Sequence, residues 1–394
     1  MSDALPVFSS FGADIYLSDF INNAIDRIAS EISKIDIKSI VDFGDRISVQ
    51  NDDITRLFKY KPNPLQTTSD FLSCVEWIRR KQRNCFIYPQ YETVTAGGRE
   101  FKKYTAFWPL NPASIRIGVN DGAVWEVEFS FNDGTIYTLP YSELIHLKWR
   151  RGSNTIIGGG DDYGLPNDYD VRRVLDALDK TIQGLPKSIE SSLQIKGVYT
   201  ANNLIETTRL NEMREDFENH ILASKAGITA VDIAGTFTPV NINPPEISDK
   251  VYSFLKSILS ERYGISMAIL SGNYDSTKHA AFYQNCIEDF KVQFEQAMTS
   301  TVFSQREQDV GHQIRGYYGL VQYMSNSDKI QVANISKETG MMTVNQLAEM
   351  FGMEPFEGGD RRLQSLNYVN INDIDLYQKG KAGVLTDGSN IGNQ

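Results

Sequence analysis

The chain has 394 residues, a net formal charge of −11, 41% hydrophobic and 23% charged residues, and three cysteines. That length can bury a sizeable core and suits two or three domains, while the acidic balance argues against a monomer that grips nucleic acid with a basic face. No apolar run approaches the roughly 20 residues of a membrane helix. The start MSDALPVFSSFGAD lacks the basic and apolar regions of an export signal, and Cys74, Cys85 and Cys286, with no C-x-x-C, point to a reducing compartment rather than to disulfides or a zinc site.

In chain order, residues 17–35 predict an amphipathic helix, with Phe20, Ile21, Ala24, Ile25, Ile28 and Ile32 as one stripe and Ser18 or Asp19 as the cap. Asn63-Pro64 breaks the chain before a second helix at 67–83, lined by Phe71, Leu72, Val75 and Ile78. Arg79, Arg80, Lys81 and Arg83 crowd its end, where cations suit the dipole. They read either as a solvated helix end, the favoured reading, or as a phosphate or partner contact. Residues 85–150 predict strands at 85–88, 104–108, 114–119, 124–131 and 135–139, with hairpin turns at Asn120-Asp121-Gly122 and Asn132-Asp133-Gly134. Residues 151–170 are a polar, glycine-rich loop.

Helical patterns return at 171–193 and 210–223, with strand signals at 197–200 and 228–237. A helix at 248–263 should turn Val251, Leu255, Ile258 and Leu259 inward, and 264–274 should be a loop. The cleanest helix is 280–303, where Tyr283, Ile287, Phe290, Phe294, Met298 and Val302 recur every three or four residues. The segment 311–323 is rich in tyrosine and glycine. Its His312, Arg315, Tyr317, Tyr318 and Tyr323 have the composition of a partner interface and equally suit a β-hairpin with aromatic cross-strand pairs. A helix at 328–337 leads into a last short one at 343–351. The long helix, aromatic segment and second helix together predict a protruding hairpin suited to packing beside copies of itself.

Catalytic motifs are missing. His146, His220, His279 and His312 stand far apart, with none of the spacings that hold zinc. Gly158-Gly159-Gly160-Asp161-Asp162 lacks the G-K-[ST] of a phosphate-cradling loop and does not read as a dinucleotide fingerprint. The 50 acidic residues leave room for carboxylates that meet in space, so a metal-dependent nuclease is one alternative reading. Another neck or capsid structural protein is a second.

The most informative stretch is MMTVNQLAEMFGMEPFEGGDRRLQSLNYV at 341–369. Thr343 and Gln346 have the spacing of a capping box. Val344, Leu347, Ala348 and Phe351 follow at helical spacing, Gly352 and Glu354-Pro355 end the helix, and 357–362 form a polar turn. The order G-x-x-T-x-N-Q-x-x-x-x-x-G-x-x-P-x-x-G-G-D closely resembles the C-terminal signature of tailed-phage portal proteins of the HK97 type. Other stretches resemble that family in the same order: Tyr60-Lys61-Pro62-Asn63-Pro64 with Thr68 to Phe71, Phe107-Trp108-Pro109-Leu110-Asn111-Pro112, YSELIHLK at 141–148, Phe237-Thr238-Pro239-Val240, RYGISMAILS at 262–271, and the helix from Ala280. At 162–166 Asp162-Tyr163-Gly164-Leu165-Pro166 stands where the family usually has Y-G-x-S-P.

The resemblance implies an α+β portal fold and no enzyme activity. Residues 1–275 would be a mixed α/β wing, 276–304 a first stem helix and 305–327 a small β-containing clip. Residues 328–340 would be a second stem helix, 341–374 a helical tunnel region and 375–394 a disordered tail. His312, Arg315, Tyr317, Tyr318 and Tyr323 would then face partners at the clip. Met341, Met342, Asn345, Glu357, Asp360, Arg361 and Arg362 would lie near the tunnel. Expected partners are copies of the chain in a ring of about twelve, double-stranded DNA passing without sequence readout, and terminase, capsid and neck proteins. No cofactor, metal or membrane is expected, and the place is the capsid vertex of a virion assembled in the host cytoplasm.

Overall fold

The computed structural model describes residues 18–44, 47–150, 168–193, 197–201, 235–239, 249–319, 326–351, 353 and 356–364, with isolated positions between 211 and 219. The glycine-rich loop through 167, most of the helix expected at 210–223, the strand signal at 228–234, His220, Tyr323 and the C-terminal tail lie outside the described residues. The chain divides into two compact units, residues 1–24 with 167–263 and residues 25–166 with 264–394.

The first stretch of the chain contains α1 (Asp19–Ile32), inside which the division between units falls, then β1 (Asp36–Asp42), β2 (Ile47–Val49), α2 (Asp53–Tyr60), α3 (Thr68–Gln82), β3 (Asn84–Ala96), β4 (Arg99–Leu110), β5 (Ser114–Val119), β6 (Trp125–Ser130), β7 (Ile136–Pro140) and β8 (Ile145–Lys148). The smaller unit supplies α4 (Tyr169–Leu193), β9 (Gly197–Ala201), β10 (Gly235–Pro239) and α5 (Asp249–Tyr263). The larger unit resumes with α6 (Met267–Leu270), α7 (Ser276–Phe282), α8 (Glu288–Val302), α9 (Gln305–Asp309), β11 (His312–Tyr317), α10 (Asn326–Thr339), β12 (Gly340–Thr343), α11 (Val344–Met350) and β13 (Arg362–Gln364).

Local chemistry explains the ends of these elements. Asp52 caps α2 by accepting from the Thr55 amide at 2.8 Å, and Thr67 caps α3 by accepting from the Asp70 amide at 3.3 Å. Arg83 closes α3 in the left-handed conformation, φ 59°. Both hairpin turns form as expected. The Asn120 side chain accepts from the Gly122 and Val124 amides, and the Asp133 carboxylate from the Thr135 amide.

The core of the larger unit is aromatic. Phe58 of α2 meets Phe71, Phe107 and Phe294 at ring separations of 5.7, 5.1 and 6.1 Å. A second cluster, Phe86, Val127, Phe129 and Leu144, lies under the β5–β6–β7 sheet. The β4–β3–β8 and β11–β1–β2 sheets are antiparallel. In the latter, β11 pairs with β1 from Asp36↔Tyr317 to Val41↔His312. Gly311 permits this closure: at φ +93°, a Cβ there would lie 2.2 Å from the Asp42 carbonyl oxygen.

Several expectations change here. The long helix starts earlier than 280 and contains a π-turn, Tyr283–Ile287, between α7 and α8. It does not stand free of the body. Phe290, Phe294 and Met298 are fully buried, and α8 packs on β8 and β11. Within the tyrosine segment, the described strand β11 pairs with β1. In the smaller unit, α4 and α5 pack on each other through Val171, Leu175, Leu178, Leu259 and Tyr263. Val251, expected inward, is 51% exposed, and Phe254 and Ile182 are bare as well. Between 264 and 274, expected to be all loop, Ser266 caps the single turn α6.

Candidate functional site

The C-terminal signature folds into one hydrogen-bonded device. The capping box forms: the Thr343 amide donates to Gln346 Oε1 at 2.9 Å and the Gln346 amide to Thr343 Oγ1 at 3.1 Å. Next to it, buried Asn345 holds the following turn. Its Nδ2 donates to the Phe356 carbonyl at 3.1 Å and to Asp360 Oδ1 at 2.9 Å, while its Oδ1 accepts from the Phe356 amide at 2.9 Å. Its own amide donates to the Gly359 carbonyl at 2.8 Å. Gly359 must be glycine, since a Cβ would sit 2.0 Å from Asn345 Oδ1. Thus the asparagine and the second glycine of the signature are two halves of one contact. Of the other residues expected near a tunnel, Met341, Glu357, Asp360, Arg361 and Arg362 are exposed. Met342 is half-buried, its amide donating to Ser336 Oγ at 3.0 Å.

A second family-like word folds the same way. Asn63 is 1% exposed. Its Oδ1 accepts from the Leu65 and Gln66 amides, and its Nδ2 donates to the Phe107 carbonyl at 3.0 Å, tying the 62–66 turn to β4.

The arginines at the end of α3 are not the solvated tip that was expected. Arg79, Arg80 and Arg83 are buried, so none of them meets a phosphate either; only Lys81 is exposed. Arg79 donates to Glu76 Oε2 at 3.0 Å, to the Lys148 carbonyl at 3.1 Å and to Asp289 of α8. Arg80 donates to the other Glu76 oxygen and lies 4.5 Å from the Trp149 ring. Two buried guanidinium groups therefore share the buried Glu76 carboxylate, and Arg79 also reaches the half-exposed Asp289, joining α3, the end of β8 and α8. Burial alone would pull the Arg80 pKa down, but Glu76 outweighs it and holds the pKa above the ordinary value.

The four described residues proposed for a clip, His312, Arg315, Tyr317 and Tyr318, do not share one free surface. His312 packs on Phe303 and is half-buried, as is Arg315. Tyr317 is exposed beneath Lys38. Tyr318 turns inward, donating to Glu31 Oε2 at 2.9 Å and stacking near His279 and Tyr283. Glu31 is fully buried and is also reached by Arg27 and Lys34. Sequence reading missed Glu31, whose only signal is a charge on the apolar stripe of α1.

His146 is satisfied within the core. It bridges the Tyr141 hydroxyl at 3.0 Å and Asn84 Oδ1 at 2.9 Å and stacks on Phe86. Burial, and then Lys148, hold its pKa well below the ordinary histidine value. Burial lowers His279 as well. Among the described residues no three His, Cys, Asp or Glu side chains gather as metal ligands, and no helix is long and apolar enough to cross a membrane.

The sequence pattern that describes the phage portal protein family matches residues 20–352. The chain is 21% identical over 396 residues to a probable portal protein of Lactococcus phage p2, covering 95% of this chain and 91% of that one, and equally to its counterpart in Lactococcus phage SK1. Its fold is similar to a chain in the virion of a native gene transfer agent (GTA) particle, with TM-score 0.55 at 9% identity over 86% of this chain and 92% of that one. It is likewise similar to a chain in the neck of the native particle computed with C12 symmetry, with TM-score 0.53 at 10% identity over 86% and 92%. With residues of both units inside the matched span, from α1 through the helix that the capping box starts, this chain belongs to the phage portal protein family.

Proposed function

We propose that the chain is one subunit of a ring of twelve at a capsid vertex. The ring's channel passes double-stranded DNA during packaging and ejection, and its outer end docks terminase and neck proteins. The observation that carries this is the family match across 20–352. The similarity in fold to a neck described with C12 symmetry supports the subunit number. The role is structural. A separate motor supplies the energy for packaging, and DNA is met by shape and weak electrostatics, without base readout. A net charge of −11 per copy suits a channel that lets phosphates slide. Assembly takes place in the host cytoplasm, without a membrane.

The stem and clip are better sought in 167–263 than in 276–340. Supporting this, α8 and β11 are core elements of the larger unit, whereas α4 and α5 pack as their own unit with the paired strands β9 and β10 between them in the chain. Ile182, Val251 and Phe254 give that helix pair a bare apolar side for neighbouring copies. The larger unit is then the wing, and Met341, Asp360, Arg361 and Arg362 remain the candidates for the tunnel side. Electron-microscopy class averages of the purified chain, with mass from light scattering, test the assignment. Rings of about a dozen copies with a central hole are expected. A monomer or dimer at every concentration and salt, cleaving DNA with a divalent metal, would overturn it.

A further inference from the structure

The segment 326–364 packs as a small layer: α10 lies on β12 and β13, and α11 on β12. Ala348 is its one buried apolar side chain among the described residues. Its other buried groups are Ser336, Asn345 and the Gly359 backbone. Chains of about 40 residues rarely hold a fold without outside help, and one alanine is far less than a core. Val332, Met342, Val344, Leu347 and Met350 are half-buried in it, and other apolar side chains point out. Ile330, Ile335, Met341, Phe351, Met353 and Phe356 are between 42% and 58% exposed.

We propose that this layer is completed by a second copy of the chain, which covers those six side chains. The inference rests on the ring reading above. Together they expose on the order of 600–700 Å², close to the ~800 Å² that each partner contributes to a standard interface. Methionine and phenylalanine are the residue types that interface centres favour, and Glu357, Asp360, Arg361 and Arg362 supply the charged surround that interface rims have. The Asn345 clamp holds the backbone at Phe356 in place beforehand, so docking has little chain left to order. A ring needs a head-to-tail contact in which each copy offers one face and receives another, and these side chains are exposed to make one.

The test uses the full-length protein. A benzophenone photocrosslinking amino acid at position 353 should give covalent dimers and higher multiples from rings, with the crosslink mapping to a second chain. Met353→Asp and Phe356→Asp should raise the concentration needed for half assembly at least tenfold. They should leave thermal unfolding of the monomer unchanged, because both side chains are exposed and the clamp uses only backbone atoms of Phe356. Wild-type rings whose crosslink maps to residues 365–394 of the same chain would overturn the inference, since the chain's own tail would be the cover. So would rings that both aspartate variants form as readily as wild type. A wild-type protein that stays monomeric at every concentration would overturn the ring reading along with it.

Discussion

At the scale of single residues, Asn345 and Gly359 make the sharpest prediction. Asn345→Ala removes three hydrogen bonds of a buried side-chain amide, including the acceptor of the Phe356 amide, which costs about 2–3 kcal/mol. Gly359→Ala drives a methyl into the same amide and should do comparable damage. Hydrogen exchange should speed up across 344–361 in both variants and stay unchanged in the aromatic core. The Asn345 clamp went unread in sequence, while the capping box beside it was legible because Thr343 and Gln346 have the three-residue spacing that such a box requires. The buried arginines were not, because Asp289 is 210 positions from Arg79 and a run of cations reads as surface until its partners are known. Glu76→Ala removes the buried carboxylate that Arg79 and Arg80 share and should cost about 3–5 kcal/mol in denaturant unfolding. His146 carries a pH dependence. Its folded pKa is depressed, so the unfolded chain binds more protons between the two values. Its contribution is fully present above the ordinary value of 6.5 and is lost as pH falls from there through the folded value. Unfolding measured at pH 7.5 and 5.5 should show a smaller loss for His146→Gln than for wild type. His279, shifted the same way, keeps some slope in the variant.

At the scale of elements, periodicity located most helices and both tight hairpins, yet it could not say which apolar stripe faces a core and which faces a neighbour. The stripe of α8 and the stripe of α5 look alike on paper, but Phe294 is fully buried and Phe254 is 62% exposed. Phe294→Ala should therefore destabilise the monomer by about 3–5 kcal/mol. Phe254→Ser, paired with Val251→Ser, should leave monomer unfolding within about 0.5 kcal/mol and weaken assembly instead. Equal destabilisation by both sets would place α5 in a core. Short α2 and strands β1 and β2 carried no clear periodic signal, since an eight-residue helix and a strand buried on both sides give a pattern reader too little to count.

At the scale of the whole molecule, family membership was legible because ordered short words survive where overall identity has fallen to 21%. That the larger unit is built from two separated stretches of the chain was not, because this depends on pairings between distant residues. The most distant described pairing is the one between β1 and β11, from Asp36↔Tyr317 to Val41↔His312. During synthesis β1 leaves the ribosome early and must wait, unpaired on that edge, until nearly 280 further residues have been translated. Residues 167–263 of the smaller unit are made in the interval. Nascent chains arrested before residue 312 should accordingly stay protease-sensitive in β1, and release of the full length should protect it. A late-translated strand of the larger unit thus decides when an early one becomes safe from chaperones and proteases.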